Sequence, residues 1–103
     1  MDYSKYKDLK TRLIEPGILE IVMGDEASGR LSTAGHRMHA ELAEIWRDVD
    51  RDPEVRVAIL RGAGKGFSAG GDFGLIEDII KDFDTRARVW REARDLVYNV
   101  INC

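Results

Sequence analysis

Between Val57 and Phe73 an apolar run, Val57-Ala58-Ile59-Leu60, enters the glycine-rich stretch Gly62-Ala63-Gly64-Lys65-Gly66-Phe67-Ser68-Ala69-Gly70-Gly71 and emerges at Asp72-Phe73 before a helical pattern. No other segment constrains the fold as much. A strand that turns sharply into a helix belongs to an α/β architecture. Glycines without a Cβ permit positive φ and let backbone N–H groups approach an anion closely. Their spacing sorts the possible ligands. A phosphate loop, GxxxxGK[ST], needs a hydroxyl residue after its lysine, and Lys65 is followed by Gly66. A dinucleotide fingerprint framed on Gly62 and Gly64 would need glycine where Phe67 stands. The plain alternative is an ordinary strand-to-helix turn in which the glycines serve only the backbone.

The flanking chain reads as a β-β-α-β order. Leu9–Ile14 and Ile18–Met23 are β-prone runs around Glu15-Pro16-Gly17, which predicts a hairpin over 9–23. After the loop Gly24–Arg30, Ser32 and Thr33 are candidate caps for a helix over 32–51. Met38, Leu42, Ile45, Trp46 and Val49 recur along it at helical spacing, and Asp52-Pro53 ends it. A strand over 55–61 reads as a central strand of a covered sheet. The loop 62–74 hangs from its C-terminal end, where open α/β sheets place ligands. Leu75, Ile76, Ile79 and Ile80 predict a helix over 75–82. Val89, Trp90, Ala93, Leu96, Val97, Val100 and Ile101 predict another over 85–102, with Asp84 as its N-cap. The final residues Asn99–Cys103 keep an apolar face with no glycine cap and no following strand, so the chain is expected to be a fragment of a longer domain.

Composition excludes several classes of partner. The 103 residues carry a net charge of −3 with both signs interspersed, which leaves no basic stripe for nucleic acid. No apolar run approaches the roughly 20 residues that span a bilayer, and Met1–Lys7 lacks a signal-like apolar core. The expected address is the cytoplasm, with no membrane partner. The one cysteine, Cys103, has no internal partner and no zinc-binding companions, and reads as a bystander thiol. His36 and His39 stand at i and i+3 without a third ligand, so no metal is expected.

Gly66-Phe67-Ser68-Ala69-Gly70-Gly71-Asp72, following a Val/Ile/Leu strand, resembles the F-[SA]-A-G-x-D signature of the enoyl-CoA hydratase/isomerase (crotonase) superfamily. The order of the surrounding elements is similar to that family over nearly the whole chain. The resemblance implies an α/β fold, the N-terminal part of a crotonase-like (ClpP/crotonase) spiral of β-β-α units, which forms homotrimers or hexamers when complete. It also implies an acyl-CoA thioester as substrate, with coenzyme A as part of that substrate and no separate cofactor. In this family two backbone N–H groups form an oxyanion hole that stabilises a thioester enolate. Carried across by position, the first donor is the N–H of Gly71, and Ala69, Gly70, Asp72 and Phe73 line the coenzyme A cleft.

Arg30 is either a phosphate contact of the coenzyme or a solvated loop residue. The segment Gly29-Arg30-Leu31-Ser32 stands where the family has an Asn-Ala-Leu-like element, and Gly74 stands where hydratases often have a lysine or a larger side chain. Asp72 is read first as a helix cap. Phe67 is read as a core anchor, and Ser68 as a hydroxyl without a histidine–aspartate pair. Glu77 and Asp78 are either acid/base groups or helix first-turn charges. The implied reaction is hydration of a 2-enoyl-CoA. The other family reactions (isomerisation, dehalogenation, thioester hydrolysis) remain open, because the second donor and the acidic residues are expected beyond Cys103. The competing class is a binding or assembly module presenting Trp46, Trp90 and the last helix to a partner.

Overall fold

The computed structural model describes residues 1–103. Pro16-Gly17 makes the first turn. Gly17 sits at φ 84°, a left-handed conformation that side-chain-bearing residues avoid, and it joins β1 (Leu9–Glu15) to an antiparallel β2 (Gly17–Met23). The other edge of β2 pairs in parallel with β3 (Val55–Gly62), so the sheet order is β1-β2-β3. The crossover between β2 and β3 contains α1 (His36–Arg51), and β3 leads through the glycine turn to α2 (Phe73–Lys81) and α3 (Phe83–Ile101).

α1 lays Met38, Leu42, Ile45, Trp46 and Val49 on Leu9, Leu19, Ile21 and Met23 of the hairpin, and Tyr6 closes the end of this core. Burial of these side chains stabilises the unit by about 1.5–3 kcal/mol each relative to exposure. Polar ties at one end fix the N-terminal segment to α1. The buried Glu41 carboxylate accepts the backbone N–H groups of Lys7, Asp8 and Leu9 at 2.8–3.2 Å. The Tyr6 hydroxyl donates to Asp48, and the Tyr3 hydroxyl donates to Asp52 at 2.7 Å.

Several elements differ from the expectation. α1 begins at His36 rather than at Ser32. Its N-cap is Gly35 without a side-chain bond, and Ser32 and Thr33 do not cap it, because residues 32–34 run extended against the glycine turn. α2 begins at Phe73, two residues early, since Asp72 already satisfies the Leu75 N–H. The cap of α3 is Asp82, not Asp84: its carboxylate accepts both the backbone N–H and the hydroxyl of Thr85, and Asp84 falls in the first turn.

β3 is an edge strand covered on one face only. Ala58 and Leu60 face the core, while Val57 and Ile59 point to the open face at 53% and 42% exposure. α3 touches the core through Leu96 but buries no residue fully, and Trp90, Val97, Val100 and Ile101 stay exposed. Trp46, by contrast, is 8% exposed and belongs to the core, so it is not presented to a partner. No helix is long and apolar enough to cross a membrane.

Candidate active site

The turn between β3 and α2 closes on itself before it reaches the residues of interest. A Cβ on Gly62 would collide with the backbone oxygens of Gly66 and Phe67, so only glycine lets the loop fold back there. Gly64, at φ 82°, packs against the Arg30 carbonyl, which lies 2.8 Å from where its Cβ would be. The Arg30 loop is thereby brought beside the glycine turn. Its guanidinium has no ion-pair or hydrogen-bond partner in the chain. Phe67 is turned out by this closure and is 59% exposed, which corrects its reading as a core anchor.

Beyond Phe67 the loop is strapped to the extended segment before α1. The Ala69 N–H donates to the Ser32 carbonyl at 2.7 Å, and the Ala34 N–H donates to the Gly70 carbonyl at 2.8 Å. The Ala34 carbonyl then accepts the Asp72 N–H at 3.0 Å. This is a one-residue parallel bridge between Ala34 and Gly71. In parallel pairing the groups that bond across belong to the residues either side of the bridged one, so the N–H and C=O of Gly71 face the opposite edge. The Gly71 N–H has no acceptor in the chain.

Its neighbours are spoken for. Ser68 Oγ accepts the Gly70 N–H at 3.0 Å and leans on the Ser32 carbonyl at 3.4 Å, so this hydroxyl staples the loop. Asp72 Oδ1 accepts the Leu75 N–H at 2.8 Å and caps α2. Gly71 therefore stands just ahead of the positive end of a nine-residue helix, which favours a developing negative charge at its N–H. Phe73, 85% exposed, flanks it on the solvent side.

The other sequence candidates lie elsewhere. Glu77 pairs with Lys81 at 3.8 Å along α2, and Asp78 pairs with His36 at 2.7 Å, so neither carboxylate is held free for proton transfer. His39 pairs with Glu92 at 2.7 Å, and no group of three metal-ligating side chains forms. Cys103 is exposed at the end of α3. Sequence reading missed Ser32 and Ala34 as the strap that orients Gly71. Ala34 carries no chemical signal at all, and Ser32 was read as a cap.

A β-hairpin, a crossover helix and a parallel strand that ends in a glycine turn, with one N–H that has no acceptor, make up an α/β unit. No protein-family model matches the chain. It is similar to 1,2-epoxyphenylacetyl-CoA isomerase of Escherichia coli K12, with 39% identity over 59 residues, 57% of this chain and 22% of that enzyme. Among solved structures, an enoyl-CoA hydratase/isomerase from Mycobacterium paratuberculosis superposes with a TM-score of 0.80 at 33% identity, over 89% of this chain and 36% of that one. A beta-diketone hydrolase from Anabaena superposes with a TM-score of 0.78 at 28% identity, over 94% and 38% of the two chains. These relatives and structural neighbours are members of the enoyl-CoA hydratase/isomerase (crotonase) superfamily, and they support this chain's membership in it. The chain spans between about a fifth and two-fifths of the length of these relatives.

Proposed function

We propose that this chain supplies one half of an oxyanion hole in an acyl-CoA-processing enzyme, with the Gly71 N–H as the donor. The observation that carries the reading is the Ala34–Gly71 bridge, which leaves that N–H unbonded ahead of α2. A preorganised backbone donor of this kind in a water-excluded site contributes about 2.7–4 kcal/mol to a transition state that develops negative oxygen. Backbone at Ala69, Gly70, Asp72 and Phe73 would line the coenzyme cleft. The unpaired guanidinium of Arg30, whose backbone packs on Gly64, would meet its phosphates. Coenzyme A enters as part of the thioester and no separate cofactor is invoked. The reaction favoured is hydration of a 2-enoyl-CoA, in a cytoplasmic enzyme that works as a trimer or hexamer. Hydratase, isomerase and hydrolase names all occur among the relatives.

A binding or assembly role is supported by a separate observation, the exposed apolar residues Ile80, Phe83, Trp90 and Ile101 along α2 and α3. Calorimetric titration with a saturated acyl-CoA and with free coenzyme A separates the two readings. Binding that survives Gly71→Ala and disappears in Gly71→Pro supports the oxyanion reading. A folded chain that binds neither ligand favours the assembly role.

A further inference from the structure

Away from Gly71, five ionisable side chains form a continuous chain across the three helices. Asp78 Oδ2 of α2 lies 2.7 Å from His36 Nε2 of α1, and His36 Nδ1 lies 2.7 Å from a terminal nitrogen of Arg88 in α3. Arg88 also reaches Glu92 at 2.9 Å, and Glu92 reaches His39 Nδ1, one turn along α1, at 2.7 Å. Chemistry decides where the protons sit. A guanidinium only donates, so His36 Nδ1 must present its lone pair, and the single ring proton lies on Nε2, donated to Asp78. The arrangement therefore requires a neutral His36. His39 is under no such demand, because its only partner here accepts.

We infer that His36 is a pH-read latch between α1 and α3: neutral, it holds Arg88; protonated, it releases Arg88 and keeps Asp78. A proton on Nδ1 would set two donors and two positive charges face to face at a contact of 2.7 Å. No local group can rescue that contact. Asp78, from α2, already sits on the far nitrogen and is attracted more strongly by an imidazolium. Glu92, from α3, offers Arg88 an alternative partner it already touches. His39 shares Glu92 rather than His36. The nearest charged neighbour in sequence, Arg37, is turned away to Asp8 at 2.8–3.1 Å.

Acid thus exchanges an α1–α3 tie for a tighter α1–α2 tie. The first half of α3 loosens from α1, keeping Arg86 on the Ile79 carbonyl of α2 at 2.9 Å, while its second half stays fixed by Glu92 on His39 at 2.7 Å, by Leu96 in the core and by the Asn99 amide on the Ala43 carbonyl at 2.7 Å. Histidine is the side chain whose charge ordinarily changes between pH 5 and 8.

The test uses the 103-residue chain itself. Nitrogen-15 NMR of the imidazoles at pH 8 should show His36 protonated on Nε2 with a bare Nδ1. A proton on Nδ1 overturns the inference outright, with no variant needed. Amide hydrogen exchange, corrected for intrinsic rates, should rise about three- to tenfold in the first half of α3 between pH 8 and pH 5, as expected for one lost, partly exposed charge-assisted bond. α2 should keep its protection. In His36→Gln the pH dependence should vanish. An equal rise in that variant, or unchanged α3 protection in the unmodified chain, rejects the latch.

Discussion

Gly35 and Asp72 interlock: a Cβ on Gly35 would lie 2.7 Å from Asp72 Oδ2, while Oδ1 of the same carboxylate holds the Leu75 N–H. The cap of α2 thus depends on a missing methyl group at the start of α1, and the two residues should be energetically coupled. Asp72→Ala is expected to cost about 1 kcal/mol through the lost cap. Gly35→Ala should cost a similar amount by displacing that cap, and almost nothing more once Asp72 is already alanine. Urea unfolding of both single variants and the double variant measures the coupling. Strictly additive costs would mean that the two residues do not communicate.

The buried Glu41 carboxylate should be the most costly polar side chain to truncate. It serves three backbone donors of the N-terminal segment. Glu41→Ala would leave those donors unpaired and is expected to destabilise the fold by about 3 kcal/mol, with Glu41→Gln losing less because one acceptor oxygen survives. Chemical denaturation gives the number. A loss within the range of an ordinary surface substitution would show that water replaces the carboxylate without cost.

Two glycines of the same turn should respond unequally to alanine. Gly62 has backbone oxygens where a methyl would go, whereas a methyl on Gly71 meets only Ile76 and Leu75 side-chain carbons at 3.7 Å, an ordinary contact. Gly71→Ala should therefore stay within about 0.5 kcal/mol of the parent stability, and Gly62→Ala should lose several times that, about 2 kcal/mol or more. Thermal melts of the pair decide this. Equal melting temperatures would contradict the tight closure at Gly62.

Stability should fall at both ends of the pH scale, with Tyr6 contributing to both limbs. Burial works against ionisation of Asp48, but the hydrogen bonds from Tyr6 and Lys5 more than offset it and hold the carboxyl below its usual range. The Tyr3 hydroxyl and the Glu54 N–H do the same for Asp52. In the unfolded chain these carboxyls titrate near about 4, so their contribution is complete above that pH and is lost as pH drops through the lower native values. Burial, and then the bond to Asp48, pushes the Tyr6 hydroxyl well above the ordinary tyrosine range, and Tyr3 behaves alike beside Asp52. Their contribution is complete below about pH 10 and is lost as pH rises from there. Urea unfolding across pH should show Tyr6→Phe flattening both limbs, and unchanged limbs would remove Tyr6–Asp48 as their source.

Features written in adjacent residues were legible in the sequence. Pro16-Gly17 sets the hairpin because the turn needs only its own φ values, and the spacing of Met38, Leu42, Ile45, Trp46 and Val49 sets the buried face of α1. Asp72 capped its helix as read. Features that depend on distant closure were not legible. Nothing local tells Glu41 that it will meet Lys7, or Ala34 that it will strap Gly71, and Ser32 looked like a cap because capping chemistry resembles loop chemistry. Phe67, Val57 and Ile59 were misplaced for another reason: apolar character records that a side chain prefers cover, not whether this chain provides it.

The open side of β3 has a consequence for how the chain behaves in company. Its outer edge has no partner strand along Val55–Gly62, with only Arg56 and Arg61 to discourage approach, and Arg61 is already engaged by Glu20 and Glu26. Such an edge selects by backbone spacing rather than by side-chain identity. The same segment that delivers the glycine turn to its place is therefore also where the sheet can be extended by one more strand.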